Sequence, residues 1–376
     1  HDNQFPIDIF QTGSGTSTNM NANEVIGKLA TKYSGVEVDP NDHVNMSQSS
    51  NDVIPTAINI SCHCDLEHLL LPALQDLIKA IGNKAKKLEG VTKTGRTHLM
   101  DAMPIKMDQE LNAWKSQLES SQESLLTVTD KLLLLPQGGT AVGTGVNTHP
   151  RFAKEFAKEV SKLRKIKAKP SNNFFHSLSA QDTSLQVSGE LRNLATILMK
   201  ISNDLRWMNS GPLTGLGEIE LKALQPGSSI MPGKVNPVIP ESVSMVCADV
   251  IGNDVTVAIA AQSGNFQLNV MLPVIAYNLL KSINILSNAM DALGSKAIKT
   301  FKINKTNIQE SLEKNPVLVT SLSPVIGYSK AAEIAKKAYK EKRSIIEVAL
   351  EETKLSRKRL ESLLNPENLT SGGVKK

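Results

Sequence analysis

Aromatic side chains are scarce in this 376-residue chain, with Phe, Trp and Tyr together making up 4%. Strands draw on those residue types, whereas the apolar residues here, 40% of the total, are mainly Leu, Ile, Val, Ala and Met, which suit packed helices. Cysteine is scarcer still. Three cysteines cannot make a disulfide framework in a chain of this length, and a reducing cytoplasm is the compartment they fit. Cys62-His63-Cys64 offers no metal site, because residues two apart on a helix point roughly 200° from one another. No charge sign dominates, since 42 basic against 37 acidic residues leave a net charge of +5. The basic stretches at residues 154–169 and 336–343 interleave Lys with Glu, Ala and Val at helical spacing, as solvated helix faces do, so nucleic acid is not an expected partner. No apolar run approaches the roughly 18 residues of a membrane span and no signal-peptide pattern opens the chain, so no membrane association is expected either.

What the chain does have is length enough for a large buried core, and apolar residues at alternating steps of three and four. Val187, Leu191, Leu194, Leu198, Ile201 and Leu205 form one such stripe. Leu111, Trp114, Leu118, Leu125, Val128 and Leu132 form a second. A third runs through Ile251, Val255, Ala258 and Ile259, and a fourth through Leu268, Met271, Leu272, Ile275 and Leu279. A further helix is predicted over 53–88, with Pro55 in its first turn and a kink at Pro72. Helices of this length predict an all-α fold built on a long central bundle with small crossing angles. Several faces carry more Leu and Ile than one neighbour can cover, so self-association is expected. The division expected is a partial N-terminal domain over 1–49, the bundle over 50–305 and a small helical C-terminal domain over 306–376, ending in a Gly-Gly-Val-Lys-Lys tail. The chain opens at His1 with its first chemistry-bearing motif already at Gln11, which suggests that an N-terminal segment is missing. Binding groups are expected in the polar connections at residues 11–21, 39–51, 93–101, 137–147 and 225–236.

The last of these connections is the most informative. It reads Gly227-Ser228-Ser229-Ile230-Met231-Pro232-Gly233-Lys234-Val235-Asn236-Pro237. It is not a phosphate loop: five residues separate the glycines instead of four, Val235 replaces the hydroxyl that would hold magnesium, and Pro232 removes a donor. It offers two hydroxyls, one cation and one amide, a set able to hold an anion while a serine takes a proton from the adjacent carbon.

This segment resembles the signature loop of the fumarase/aspartase superfamily, GSSxMPxKxN. Four other stretches match the same superfamily in the same order. They are Gln11-Thr12-Gly13-Ser14-Gly15-Thr16 with Asn19-Met20-Asn21, then Ser47-Gln48-Ser49-Ser50-Asn51-Asp52, then Gly95-Arg96-Thr97-His98-Leu99, and last Gln137-Gly138-Gly139-Thr140-Ala141-Val142-Gly143. The resemblance spans essentially the whole chain. It implies that Ser228 is the base that removes the C3 proton of malate, with its alkoxide stabilised by loop N–H groups and Lys234. It implies that His98 handles the hydroxyl through an activated water. A lone histidine beside Thr and Leu is more often structural, but Glu241 matches the glutamate that pairs with the family's histidine and makes it a better base. Ser14, Gly15, Thr16, Ser49, Ser50, Asn51, Thr97, Ser229, Lys234 and Asn236 are the implied substrate-binding residues, those at 49–51 preceding a helix whose N-terminus favours anions.

Within the superfamily, Val238-Ile239-Pro240-Glu241 and Ser17-Thr18-Asn19-Met20 look more like aspartases. His98, Ser50 and the turn at residues 137–140 look more like class II fumarases, as does Gly327-Tyr328-Ser329-Lys330. His98 carries most weight, because water must lose a proton as it attacks while ammonia brings its own lone pair. The resemblance therefore implies a fumarate hydratase, a hydro-lyase of the citric acid cycle. The alternatives are an aspartate ammonia-lyase or, outside enzymes, an inactive crystallin-like scaffold. It also implies no cofactor or metal, and a homotetramer with active sites shared by three subunits. One departure concerns a secondary anion site: fumarases often carry His before Pro-Asn-Asp, whereas Asp39 precedes Pro40-Asn41-Asp42 here.

Overall fold

The computed structural model describes residues 1–373, so the end of the C-terminal tail at 374–376 lies outside the described residues. The chain is mostly helical, as its composition predicts. In order, α1 (Thr16–Ser34), α2 (Ser50–Asp65) and α3 (Leu71–Lys87) lead to strands β1 (Thr92–Thr97) and β2 (Met100–Lys106). Helix α4 (Met107–Thr129), β3 (Leu134–Leu135), α5 (Phe152–Arg164), β4 (Lys169–Pro170) and α6 (Phe174–Ser179) follow. The long α7 (Asp182–Met208), β5 (Ile219–Glu220), α8 (Val238–Ala261), β6 (Gly264–Asn265), β7 (Leu268–Asn269) and α9 (Leu272–Ala292) come next. After β8 (Lys302–Ile303) the helices shorten: α10 (Lys305–Lys314), α11 (Ser323–Ile326), α12 (Tyr328–Glu341), α13 (Ile345–Glu352) and α14 (Arg357–Leu364). The strands make only two-stranded ribbons, β1 with β2, β3 with β4, β5 with β8 and β6 with β7.

Two compact units share these helices. One comprises His1–Asp76, Leu118–Lys200 and Ser242–Asp291, and the other Leu77–Gln117, Ile201–Glu241 and Ala292–Lys376. In the first, the predicted α7 stripe is buried at Val187, Leu191, Leu194 and Leu198, and Leu272, Ile275, Leu279 and Ile283 of α9 are buried with it. Apolar burial at these positions is the main driving force for the unit. In the second, Leu111 and Trp114 of α4 and Ile201 and Leu205 of α7 are fully buried, and the Trp114 indole donates to Asp204 Oδ2 at 3.2 Å. Residues 318–369 have a core of their own, centred on Leu322, Ile334, Val348 and Leu360.

Three local expectations need correction. The helix predicted over 53–88 begins at Ser50 and is interrupted by a π turn at Leu66–Leu70. Pro55 is thus past the first turn, and the π turn lies next to Pro72, which lacks an N–H and crowds the carbonyl four residues back. The connection at 93–101 is not a loop but the β1–β2 hairpin. Its first strand is polar apart from Gly95, and Lys93 and Thr94 are buried, so no apolar alternation announced that strand. On α8 the stripe chosen from the sequence is the wrong one. Val255 and Ile259 are more than half exposed, and Val243, Cys247, Val250 and Val257 face the core. The helix is apolar nearly all round, so its spacing could not choose a face. By length and composition α8 is also apolar enough to cross a membrane, although Glu241, Asp249 and Asp254 keep its continuous apolar runs short.

Candidate active site

The first group of predicted residues is assembled by the chain itself. Gly15 adopts the left-handed region (φ 71°) as the N-cap of α1, and a side chain there would run into Ile54. Gly13 is equally constrained, because a Cβ would collide with the Val270 carbonyl, while the Gly13 carbonyl accepts from Leu272 N at 3.0 Å. Held this way, Ser14 Oγ lies 2.7 Å from Thr16 Oγ1, which lies 2.8 Å from Ser50 Oγ. Three hydroxyls form one continuous chain.

Ser50 opens α2, and its position follows from the cap. Ser49 Oγ accepts from Asn51 N at 3.2 Å, and Asp52 Oδ1 accepts from Ser49 N at 3.0 Å, a capping box. Asp52 is completely buried, and its second oxygen accepts from Gly138 N and Thr140 N, each at 2.9 Å. Burial pushes its carboxyl above the usual range, opposed by the backbone donors at Ser49, Gly138 and Thr140. Asn51 Nδ2 donates to Ala141 O at 2.8 Å. The Gly-rich turn and the start of α2 are therefore one hydrogen-bonded piece. In the sequence Asp52 stands out only as the last residue of a motif, which does not reveal this organising role. Its position three residues after the Ser49 cap was the available signal.

The signature loop is more open. Ser228 Oγ accepts from Ile230 N at 3.2 Å and Met231 N at 3.0 Å, so two backbone donors of its own loop face the oxygen on which negative charge would develop. Lys234 Nζ donates to Asn236 Oδ1 at 2.7 Å and Asn236 Nδ2 to Gly227 O at 2.8 Å, closing the loop on itself. Gly227 is required there, since a Cβ would strike the Lys234 carbonyl. Ser229 and Lys234 are exposed, and Ser228 and Asn236 half-buried. Lys234, Asn236 and Glu241 line a cavity of about 1040 Å³ together with Arg206, Trp207 and Lys305.

Thr97 and His98 project at the tip of the β1–β2 hairpin and are exposed. Among the described residues His98 has no hydrogen-bond or ion-pair partner, so the chain alone does not bring it onto Glu241. Behind the tip, Arg96 Nη1 contacts Glu218 Oε1 at 2.6 Å, and Lys93 Nζ contacts Glu218 Oε2 at 2.7 Å and Glu110 Oε2 at 2.8 Å. These charges stood in what read as a polar loop, and nothing in their spacing marked them as buried.

At the position of the expected secondary anion site, the Asp39 carboxylate accepts from Asn41 N and Asp42 N, both at 2.7 Å, capping the π turn Pro40–Val44. Those bonds hold the Asp39 carboxyl below its ordinary range. The two donors are thereby already taken.

A lyase family profile matches residues 1–252, and a profile for the C-terminus of fumarase C matches residues 318–371. The chain is 58% identical over 370 residues to the fumarate hydratase class II 2 of Pseudomonas aeruginosa, spanning 98% of itself and 81% of that relative. The chain belongs to the class II fumarases. It is 45% identical to the fumarate hydratase class II of Bacillus subtilis, over 98% of itself and 81% of that protein. The class II fumarase of Schistosoma mansoni superposes on it with a TM-score of 0.95 at 39% identity, covering 98% of this chain and 82% of that one.

Proposed function

We propose that this chain is a fumarate hydratase that interconverts fumarate and (S)-malate in the citric acid cycle. The observation that carries the reading is Ser228, whose Oγ faces two N–H donors of its own loop in a chain 58% identical to a fumarate hydratase. In dehydration the Ser228 alkoxide takes the C3 proton of malate, and the electron pair passes into the neighbouring carboxylate. The C2–O bond then breaks as His98 returns a proton to the departing water. Hydration runs the same steps backwards, with His98 accepting the proton of the attacking water. Lys234 and Asn236 hold the carboxylate that takes up charge, and Ser14, Thr16, Ser50 and Asn51 hold the other through hydroxyl and amide donors.

The working form in this reading is a cytoplasmic homotetramer, divided along the chain at residues 49 and 305, with each site drawn from three subunits. Two observations support it. The exposed face of α8 carries Met245, Val255 and Ile259, an apolar stripe fit for a neighbouring helix. The exposed His98 and the half-buried Glu241 are left without each other inside one chain.

The deciding measurement is the ultraviolet absorbance of fumarate with malate, and separately with aspartate, as substrate. Turnover of malate supports the reading, and turnover of aspartate alone replaces it with an ammonia-lyase. Mixing Ser228→Ala with His98→Asn subunits tests the shared site: hybrid tetramers regain activity only if the two residues serve one site from different chains.

A further inference from the structure

The turn that carries His98 is held in a conformation its own residues disfavour. His98 (φ 54°) and Leu99 (φ 60°) are both in the left-handed region, between the paired residues Thr97 and Met100. Turns of this kind select Asn, Asp or Gly, because other side chains crowd the backbone there. The strand behind the turn is irregular too, with a shift of register between Thr94 and Arg96. Local sequence therefore does not explain why the tip keeps its shape.

The nearest firm attachment is Arg96, two residues before His98. Arg96 is mostly buried, and its Nη1 is 2.6 Å from Glu218 Oε1. Glu218 is 1% exposed, and its other oxygen is held by Lys93, which is itself buried and bonded to Glu110. The Glu218 carbonyl also accepts from Asn304 N at 2.8 Å, fixing its backbone. Lys93, Arg96 and Glu218 thus form a largely buried cluster, edged by Glu110 and by the exposed Asp101, whose carboxylate lies 3.9 Å from Arg96 Nε. Such a cluster adds little net stability over apolar packing, but its geometry is rigid.

We infer that Glu218 is a positioning residue for His98: by fixing Arg96 it holds the strained turn and so places the imidazole. The inference rests on the reading of His98 as the group that handles water. Strain at a reacting group persists only where surrounding structure over-determines it, and here the surrounding structure is this carboxylate.

The test uses the full chain and measures kcat and KM for fumarate together with the thermal melt. Glu218→Gln is expected to lower kcat about tenfold or more while KM stays within about threefold, since a misplaced catalytic group costs rate and not ground-state binding. Adding Leu99→Gly, which takes positive φ without crowding, is expected to recover about fivefold of that loss. Arg96→Gln, which leaves Glu218 paired with Lys93, is expected to reproduce the loss in a folded protein even where Glu218→Gln does not fold. Wild-type kcat in Arg96→Gln, or a loss in Glu218→Gln that Leu99→Gly leaves untouched, overturns the inference. His98→Asn separates the two layers. Full activity there defeats the reading of His98 itself, whereas inactivity there beside fully active Arg96→Gln and Glu218→Gln defeats only the role of Glu218.

Discussion

The hydroxyl cluster at Ser14, Thr16 and Ser50 and the signature loop at residues 227–236 are built in opposite ways. The first is largely shielded from solvent, sits on the N-termini of α1 and α2, and is tied to the Gly-rich turn through the buried Asp52. The second is mostly exposed and is braced chiefly by its own backbone and by Asn236. Groups that only recognise a carboxylate can be rigid from the outset, since their task is the same throughout the reaction. In the proposed reaction Ser228 and Lys234 would meet charge as it develops, and their loop is closed by the few bonds it makes with itself. On the proposed function the comparison separates binding groups from reacting groups, a division that mutation can test.

The largest effect belongs to the loop. Ser228→Ala is expected to lower kcat by roughly a thousandfold or more while fumarate still binds, because the base itself is gone. The fumarate absorbance assay measures it. Lys234→Met comes next, with kcat down about a hundredfold, the scale of losing one charged donor to a developing anion. On the other side, Thr16→Val interrupts the hydroxyl chain and is expected to raise KM about tenfold with kcat little changed, as the loss of a hydrogen bond to a carboxylate does. If Thr16→Val cuts kcat as deeply as Ser228→Ala, the separation of binding from chemistry fails.

Acid gives the smallest effect and sharpens the comparison in a different way. Burial raises the Asp52 carboxyl above its ordinary 3.8. The folded chain then holds that proton more tightly than the unfolded one, so this group's contribution is complete below 3.8 and is lost as pH rises through the folded value. In the C-terminal segment the sign reverses. The hydrogen bonds from Lys330 and Lys337 lower Glu352 from 4.5 to about 2. Its contribution is present above 4.5 and is lost as pH falls towards 2. Hydrogen exchange at about pH 3 against about pH 6 is expected to show opening around α13, reduced in size by salt, while the start of α2 stays protected. Earlier opening at α2 contradicts the role given to Asp52.

Much of the fold could be read from residue spacing. The stripes on α4 and α7 were legible because those helices bury one face and leave the other polar, so a period of three to four separates the two. Helix α8 was illegible for the converse reason. With apolar residues on every side, only the helices packed against it decide which face is the core. The hairpin was missed because two of its buried residues, Lys93 and Thr94, are polar, and burial of a charge depends on a partner distant in sequence, here Glu218.

The sequence by itself determined the helical class and the types of residue in the candidate site, because hydrophobic period and short motifs are local properties of a chain. Only the tertiary structure decided that Asp52 joins two loops, that Asp39 occupies the donors of its own turn, and that Glu218 gathers Lys93 and Arg96. Each of these is an electrostatic or hydrogen-bonded contact whose strength depends on distance and dryness, and neither quantity exists until the chain has folded.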